Sequence, residues 1–251
     1  MQKRGQSTLI VSVAIIIILI LAIFSYYSST LTKSKSIKDS LTIPQSVESL
    51  KSTIQECLKD SLAYSTYLVA SHGGSLDVKN SMQVPELGRI QVGYNKASNS
   101  VNLPSQSLIA SEISNSIASE VEECSNIKEN FPGLISEFNL PEASVIIENN
   151  KIKASLQYPI IVKKGSTEAK VMDVFESDLN VNLPLILKTA NDLLDTIKND
   201  PDYLDLYFIQ NAPVSITFLP LENEQAVFIL TDEDSLIKDI PLSLVFGTAY
   251  K

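Results

Sequence analysis

Few side chains in this sequence are of a type that does chemistry. Cys57 and Cys124 are its two cysteines and His72 its single histidine, with no tryptophan at all. A structural zinc site needs four ligands, so two cysteines and one distant histidine do not make one. The glycine pair of His72-Gly73-Gly74 could offer backbone N–H groups to an oxyanion. No G-x-S-x-G nucleophile turn accompanies it, and a helix cap is the expected role. Asp232-Glu233-Asp234 lacks the alternating oxygens and bend glycine of a calcium loop, and reads as a solvated turn between two strands. Asp200, Asp202 and Asp205 in "DPDYLDLY" read as the exit of a helix, the last aspartate facing solvent. Glycoside hydrolysis needs only two carboxylates, but the aromatic platform usual for sugars has no tryptophan here. No constellation specifies a reaction, no cofactor or metal is expected, and an enzyme is the least favoured class.

The bulk numbers agree. The chain has 251 residues, 44% of them hydrophobic, and a net charge of −9, so it folds rather than remaining disordered. Acidity disfavours nucleic acid, which is bound through clustered Lys and Arg.

Several elements are legible. Pro44 opens an amphipathic helix with Val47, Leu50, Ile54, Leu58, Leu62 and Leu68 at helical spacing, ending at Gly73-Gly74. Leu76 to Leu103 alternates weakly, giving one or two short strands. A second helix starts at Ser105, with Ile109, Ile113, Ile117, Val121, Cys124 and Ile127 on one stripe, and stops at Pro132-Gly133. "ASVIIENNKIKASLQYPIIVKKG" predicts a hairpin around Asn149-Asn150, and "EAKVMDVFESDLNVNL" one more strand. Pro184 to Asn199 is a third helix with Leu185, Leu187, Ala190, Leu194 and Ile197 inward, and three strand-like runs follow. Strands and helices in runs, without βαβ alternation, predict an α+β fold with a largely antiparallel sheet. Cys57 and Cys124 fall on the stripes of the first two helices. Facing helices could bring them within disulfide range, which is the favoured expectation; two core thiols are the alternative.

The amino terminus sets the location. From Leu9 to Phe24 the one polar side chain is Ser12, and residues 8–27 would make a helix of about 30 Å, the thickness of a bilayer core. Tyr26 and Tyr27 would lie at the interface. The run ends without the small residues of a secretory cleavage site. Residues 28–43 are Ser/Thr/Lys-rich and read as a stalk. Lys3-Arg4-Gly5-Gln6, just before the apolar run, resembles the class III signal of archaeal prepilins. That resemblance implies cleavage between Gly5 and Gln6, with the apolar segment retained. Pilins usually carry a glutamate at the fifth mature position, where this chain has Ile10.

The body also looks familiar: Glu56-Cys57, Gly73-Gly74, Leu103-Pro104-Ser105, Cys124, Tyr158-Pro159-Ile160, Ala190 and Val245-Phe246-Gly247-Thr248-Ala249-Tyr250 recur in this order. It resembles an uncharacterised family of membrane-anchored archaeal proteins from small-genome lineages with a KRGQ-type leader, which implies an anchor plus exported domain and no known activity. The expected organisation is a cytoplasmic leader (1–7), a transmembrane helix (8–27), a stalk (28–43) and an extracytoplasmic α+β domain (44–251), helical over 44–133 and strand-rich over 134–251. The expected function is a single-pass, membrane-anchored surface protein of structural or interaction type. Its partners are the bilayer through residues 8–27 and a protein partner or a second copy, with no nucleic acid. A pilin-like filament subunit is the alternative, and a hydrolase on envelope material the third.

Overall fold

In the computed structural model the described residues are 43–77, 80–84, 88–133, 135–164, 167–171, 174–221 and 224–249. The leader Lys3-Arg4-Gly5-Gln6, the apolar run 8–27 and the stalk lie outside them. Among the described residues no helix is long and apolar enough to cross a membrane. Residues from Val47 onward make one compact unit.

The fold is α+β, as its pattern predicts. Helix α1 (Ile43–Ser71) is followed by strands β1 (Ser81–Val84), β2 (Gly88–Asn95) and β3 (Ser100–Val101). Then come α2 (Gln106–Ser125), the single turn α3 (Ile127–Asn130), and β4 (Ile135–Phe138) to β9 (Val174–Leu179). After α4 (Leu183–Asn199) and the short α5 (Leu206–Asn211), β10 (Ser215–Leu221), β11 (Gln225–Ile237) and β12 (Ile240–Ala249) complete the order.

The largest sheet runs β1-β2-β12-β11-β10, with β3 on β2. Its one parallel pair, β2 with β12, joins the helix-rich first half of the chain to the strand-rich second half. The register there slips by one residue, Val92 facing Gly247 and Tyr94 facing Thr248, so Gly93 is the bulged residue. A Cβ on Gly93 would press against Phe246 and Leu194, and one on Gly247 would overlap the Met82 sulfur. Both glycines hold the seam open to bulky neighbours.

Two three-stranded sheets complete the unit, β4-β7-β8 and β5-β6-β9, with β7 spanning Ile160–Lys164. The expected hairpin joins β5 (Glu142–Glu148) to β6 (Lys151–Gln157) through Asn149-Asn150. "EAKVMDVFESDLNVNL" makes two strands rather than one, β8 (Thr167–Val171) and β9, in different sheets.

Helices α1 and α2 are antiparallel. Cys57 pairs with Cys124 and the Ser65 hydroxyl donates to Ser116 (2.8 Å), so eight residues forward on one helix match eight back on the other. The cysteines form a disulfide with Cα atoms 5.8 Å apart. Cys57 is buried, but Cys124 is exposed; the stripe of α2 ends on buried Ser125 instead. On α4, Ile186 and Leu193 are buried and Leu185 only half-buried, a shift of the expected face. Each of these two helices also sends a glutamine to an edge of the β5-β6-β9 sheet. Gln55 Nε2 donates to the Glu176 carbonyl of β9, and Gln106 Nε2 to the Ile147 carbonyl of β5, both at 2.8 Å. Neutral amides thereby occupy backbone acceptors that an edge strand leaves open.

Replacing both cysteines by alanine should lower unfolding free energy by about 4 kcal/mol in the chain-entropy picture, read as a drop in urea midpoint with a somewhat steeper slope, because the unfolded chain is no longer cross-linked. Oxidised protein should give no alkylatable thiol in non-reducing mass analysis, and two after reduction.

Candidate functional site

The residues singled out from sequence do not converge. Helix α1 ends in a Schellman motif: Gly73 N donates to the Ala70 carbonyl (3.0 Å) and Gly74 N to that of Val69 (2.8 Å). Both are left-handed, with φ of 80° and 92°. His72 turns its Nδ1 to the Leu68 carbonyl at 2.8 Å. Those amides are spent on the cap, so the glycine pair is a helix stop and not an anion cradle.

The acidic triple is a correction. It is a bulge inside β11 and not a turn: Asp232 faces Leu242 and Leu236 faces Pro241, leaving Glu233, Asp234 and Ser235 without partners across the ladder. Asp232 is only 8% exposed and accepts from the Ser235 hydroxyl (2.5 Å) and the Asp234 N–H (3.2 Å). Ser235 Oγ in turn accepts from Asn182 N (2.7 Å) at the start of α4. The real turn is Lys238-Asp239, both left-handed at φ 50° and 68°, the signature of a type I′ hairpin. A second correction concerns "DPDYLDLY". Asp205 does not face solvent: it is half-buried and N-caps the unexpected α5 by accepting from Phe208 N (2.9 Å). Asp202 binds Lys96 at 2.7 Å. Among the described residues no group of His, Cys, Asp and Glu is placed to hold a metal ion.

A cleft of about 320 Å³ lies at the carboxyl end of α2, lined by Glu122, Glu123, Asn126, Lys128, Phe138 and Tyr158. Lys128 Nζ sits 4.8 Å above the Phe138 ring. Tyr158 is 1% exposed and its hydroxyl has no hydrogen-bond partner. Burial first, then the Glu122 carboxylate, push its pKa above the ordinary 10.0. Ser125 lies close enough to pull the other way, but its hydroxyl is turned to the Glu122 carbonyl (3.4 Å).

The feature that sequence reading missed is the open edge of the large sheet. Strand β10 pairs with β11 alone among the described residues. Its sequence, Ser-Ile-Thr-Phe-Leu-Pro-Leu, has no charge, although the chain carries −9. Pro220 has no N–H, so its nitrogen must point away from β11; by alternation the backbone groups of Phe218 and Ile216 point outward too. An aromatic row crosses the sheet in register and stops at this edge. Phe246 to Phe228 is 5.7 Å and Phe228 to Phe218 is 5.2 Å between ring centres. Against β10 packs α5, which exposes Tyr207 (77%) and Leu206 (60%). Tyr207 also borders an apolar groove of about 410 Å³ with Leu185, Phe208 and Pro213. The available signal was the lack of charge over residues 213–221.

Asp232→Ala should lose about 2 kcal/mol of stability, because it strips two donors of their acceptor in a buried place, whereas Glu233→Ala should be neutral in the same urea titration. For Tyr158 the sign follows from its raised pKa. Above pH 10 the unfolded chain gives up the phenolic proton before the folded one, so stability falls as pH rises through the folded value. Tyr158→Phe should be no less stable at pH 7, and its advantage over the wild type should widen above pH 10 in paired melts.

No protein-family model, characterised protein or solved structure matches this chain.

Proposed function

We propose that this is a membrane-tethered interaction module, displayed outside the cytoplasm, whose docking face is the β10 edge with the neighbouring aromatic residues of α5. The observation that carries the reading is an uncharged strand, on an otherwise acidic unit, whose outer side has no partner among the described residues. Proteins normally blunt such an edge with lysines, prolines or bulges, or cover it; here Pro220, near one end, is the one such device on β10. Exposed aromatic side chains next to it are what docking surfaces are made of.

The tether rests on the sequence: residues 8–27 suit a bilayer, and the KRGQ-type leader of residues 3–6 suits cleavage after Gly5 on the cytoplasmic side. The Cys57–Cys124 disulfide fits an oxidising compartment beyond that membrane. Membership of the leader-bearing archaeal family named above is part of the same proposal. The hydrolase reading gains nothing from the carboxylate whose pKa moves. Asp178 is held below the usual range by its hydrogen bond and ion pair with Lys151, the opposite of what a general acid requires.

Full-length protein should stay in the pellet when native membranes are washed with alkaline carbonate. An impermeant amine label applied to whole cells should reach Lys188 and Lys238, both largely exposed. The mature chain should begin at Gln6 by mass analysis. Release by carbonate, or labelling only after lysis, sinks the tether and the outward placement together.

A further inference from the structure

Resting on that reading of β10 as the docking face, we propose that its partner is β10 of a second copy of this chain, paired antiparallel about a two-fold axis through Phe218. The edge is self-complementary in that register except at the Ile216 carbonyl, which Pro220 of the other copy cannot serve. Phe218 exchanges both backbone hydrogen bonds with its twin, and the Ile216 N–H reaches the carbonyl of the twin's Pro220, twice by symmetry. The one residue without a donor, Pro220, falls at the rim of the pairing and not at its centre. Thr217 then faces Leu219 of the other copy, and Ser215 faces Leu221. No like charges meet.

The aromatic row gives the second argument. Phe246, Phe228 and Phe218 are register partners across three strands, and the row ends in half-buried Phe218 at the border of the sheet. Pairing about Phe218 carries it through into the other copy, making six rings in line. Cross-strand aromatic pairs and their burial are a favourable reason for a row to continue and not to stop. Leu206 and Tyr207 on α5 add exposed area of the order of 300 Å² toward the roughly 800 Å² per partner that a stable interface buries, the rest coming from β10 itself.

The other edges do not offer this. In β5, antiparallel pairing over the full strand sets Glu142 against Glu148 twice, and Gln106 already holds the Ile147 carbonyl. Strand β9 carries Glu176 and Asp178 and receives Gln55. Strands β4 and β8 carry Glu137, and Glu168 with Lys170, and β1 has only four residues. For copies that repel one another through a charge of −9, the neutral border is the approach with least opposition.

Two experiments on full-length protein, the first in native membranes and the second in detergent, test the register. The chain's own cysteines are tied in a disulfide, so introduced thiols report cleanly. Chains carrying Thr217→Cys and chains carrying Leu219→Cys, differently tagged and co-expressed, should cross-link under mild oxidation about tenfold more than either alone. Opposed residues lie about 4.5 Å apart, and like positions sit diagonally at 7–8 Å. Second, the double variants Thr217→Lys/Leu219→Lys and Thr217→Glu/Leu219→Glu should each be monomeric in detergent, with circular dichroism unchanged and a melting temperature that no longer depends on protein concentration. Their mixture should restore the dimer, because opposite charges then face each other.

A wild type that sediments as a monomer, or equal cross-linking in all combinations, overturns the self-pairing. Cross-linking of either cysteine variant to a protein of another mass also overturns it, while leaving β10 as a docking edge. Failure of the carbonate and labelling tests would instead remove the membrane reading, whatever the cross-links show.

Discussion

The unit is held together by one seam, the parallel pairing of β2 with β12. About 150 residues of chain separate the paired segments, so this closure carries a large ordering penalty before any contact rewards it. What offsets the penalty is packing on both faces. On one side α4 lays Leu194 against the bulge at Gly93 and the ring of Phe246. On the other, Met82 reaches across β2 to fill the space left by Gly247, in a small cluster with Ile90, Val92, Val227 and Val245. Side chains at either glycine position would push these groups apart. The division of the chain into a helical and a strand-rich half describes the sequence, but the sheet is built from both.

A second principle organises the smaller sheet. The antiparallel helix pair is fixed lengthwise by the Cys57–Cys124 bond and the Ser65–Ser116 hydrogen bond, two contacts in the same register. Because α1 and α2 are locked to each other, Gln55 and Gln106 are held at a set spacing, and each reaches one border of the β5-β6-β9 sheet. Small side chains on α2 (Ser107, Ala110, Ser111 and Ser114) line an open cleft between that helix and residues 143–147 of β5. Nothing comparable covers β10 among the described residues. Two sheet borders thus receive a glutamine from the helix pair, whereas β10 is a border that carries neither a helix clamp nor a charge.

Periodicity made the helices and most strands readable. The stripes of α1 and α2 are long and regular, Asn149-Asn150 lies between two alternating runs, and Pro184 announces α4, whose cap Asn182 only the structure identifies. What escaped was set by tertiary context. Lys238-Asp239 adopts a left-handed pair that sequence preference assigns to Asn-Gly, because the long β11–β12 hairpin imposes it. Acid residues usually mark turns, but Asp232 is drawn inward by Ser235 and the start of α4, so the acidic run became a bulge. Short α5 lacks enough turns to show a period. The edge status of β10 depends on strand order, which local pattern does not encode.

The two glutamine clamps carry a consequence for the medium in which such a unit can persist. An amide side chain neither titrates nor attracts counter-ions, so its grip on a carbonyl is indifferent to acidity and to brine alike. Ion pairs on this protein, such as Lys96 with Asp202 or Lys238 with Asp60, lie at the surface and weaken in concentrated electrolyte. The fastenings that keep the helices on the sheet are of the other kind. A scaffold fixed this way holds its shape through swings in salinity that would loosen one tied by charge.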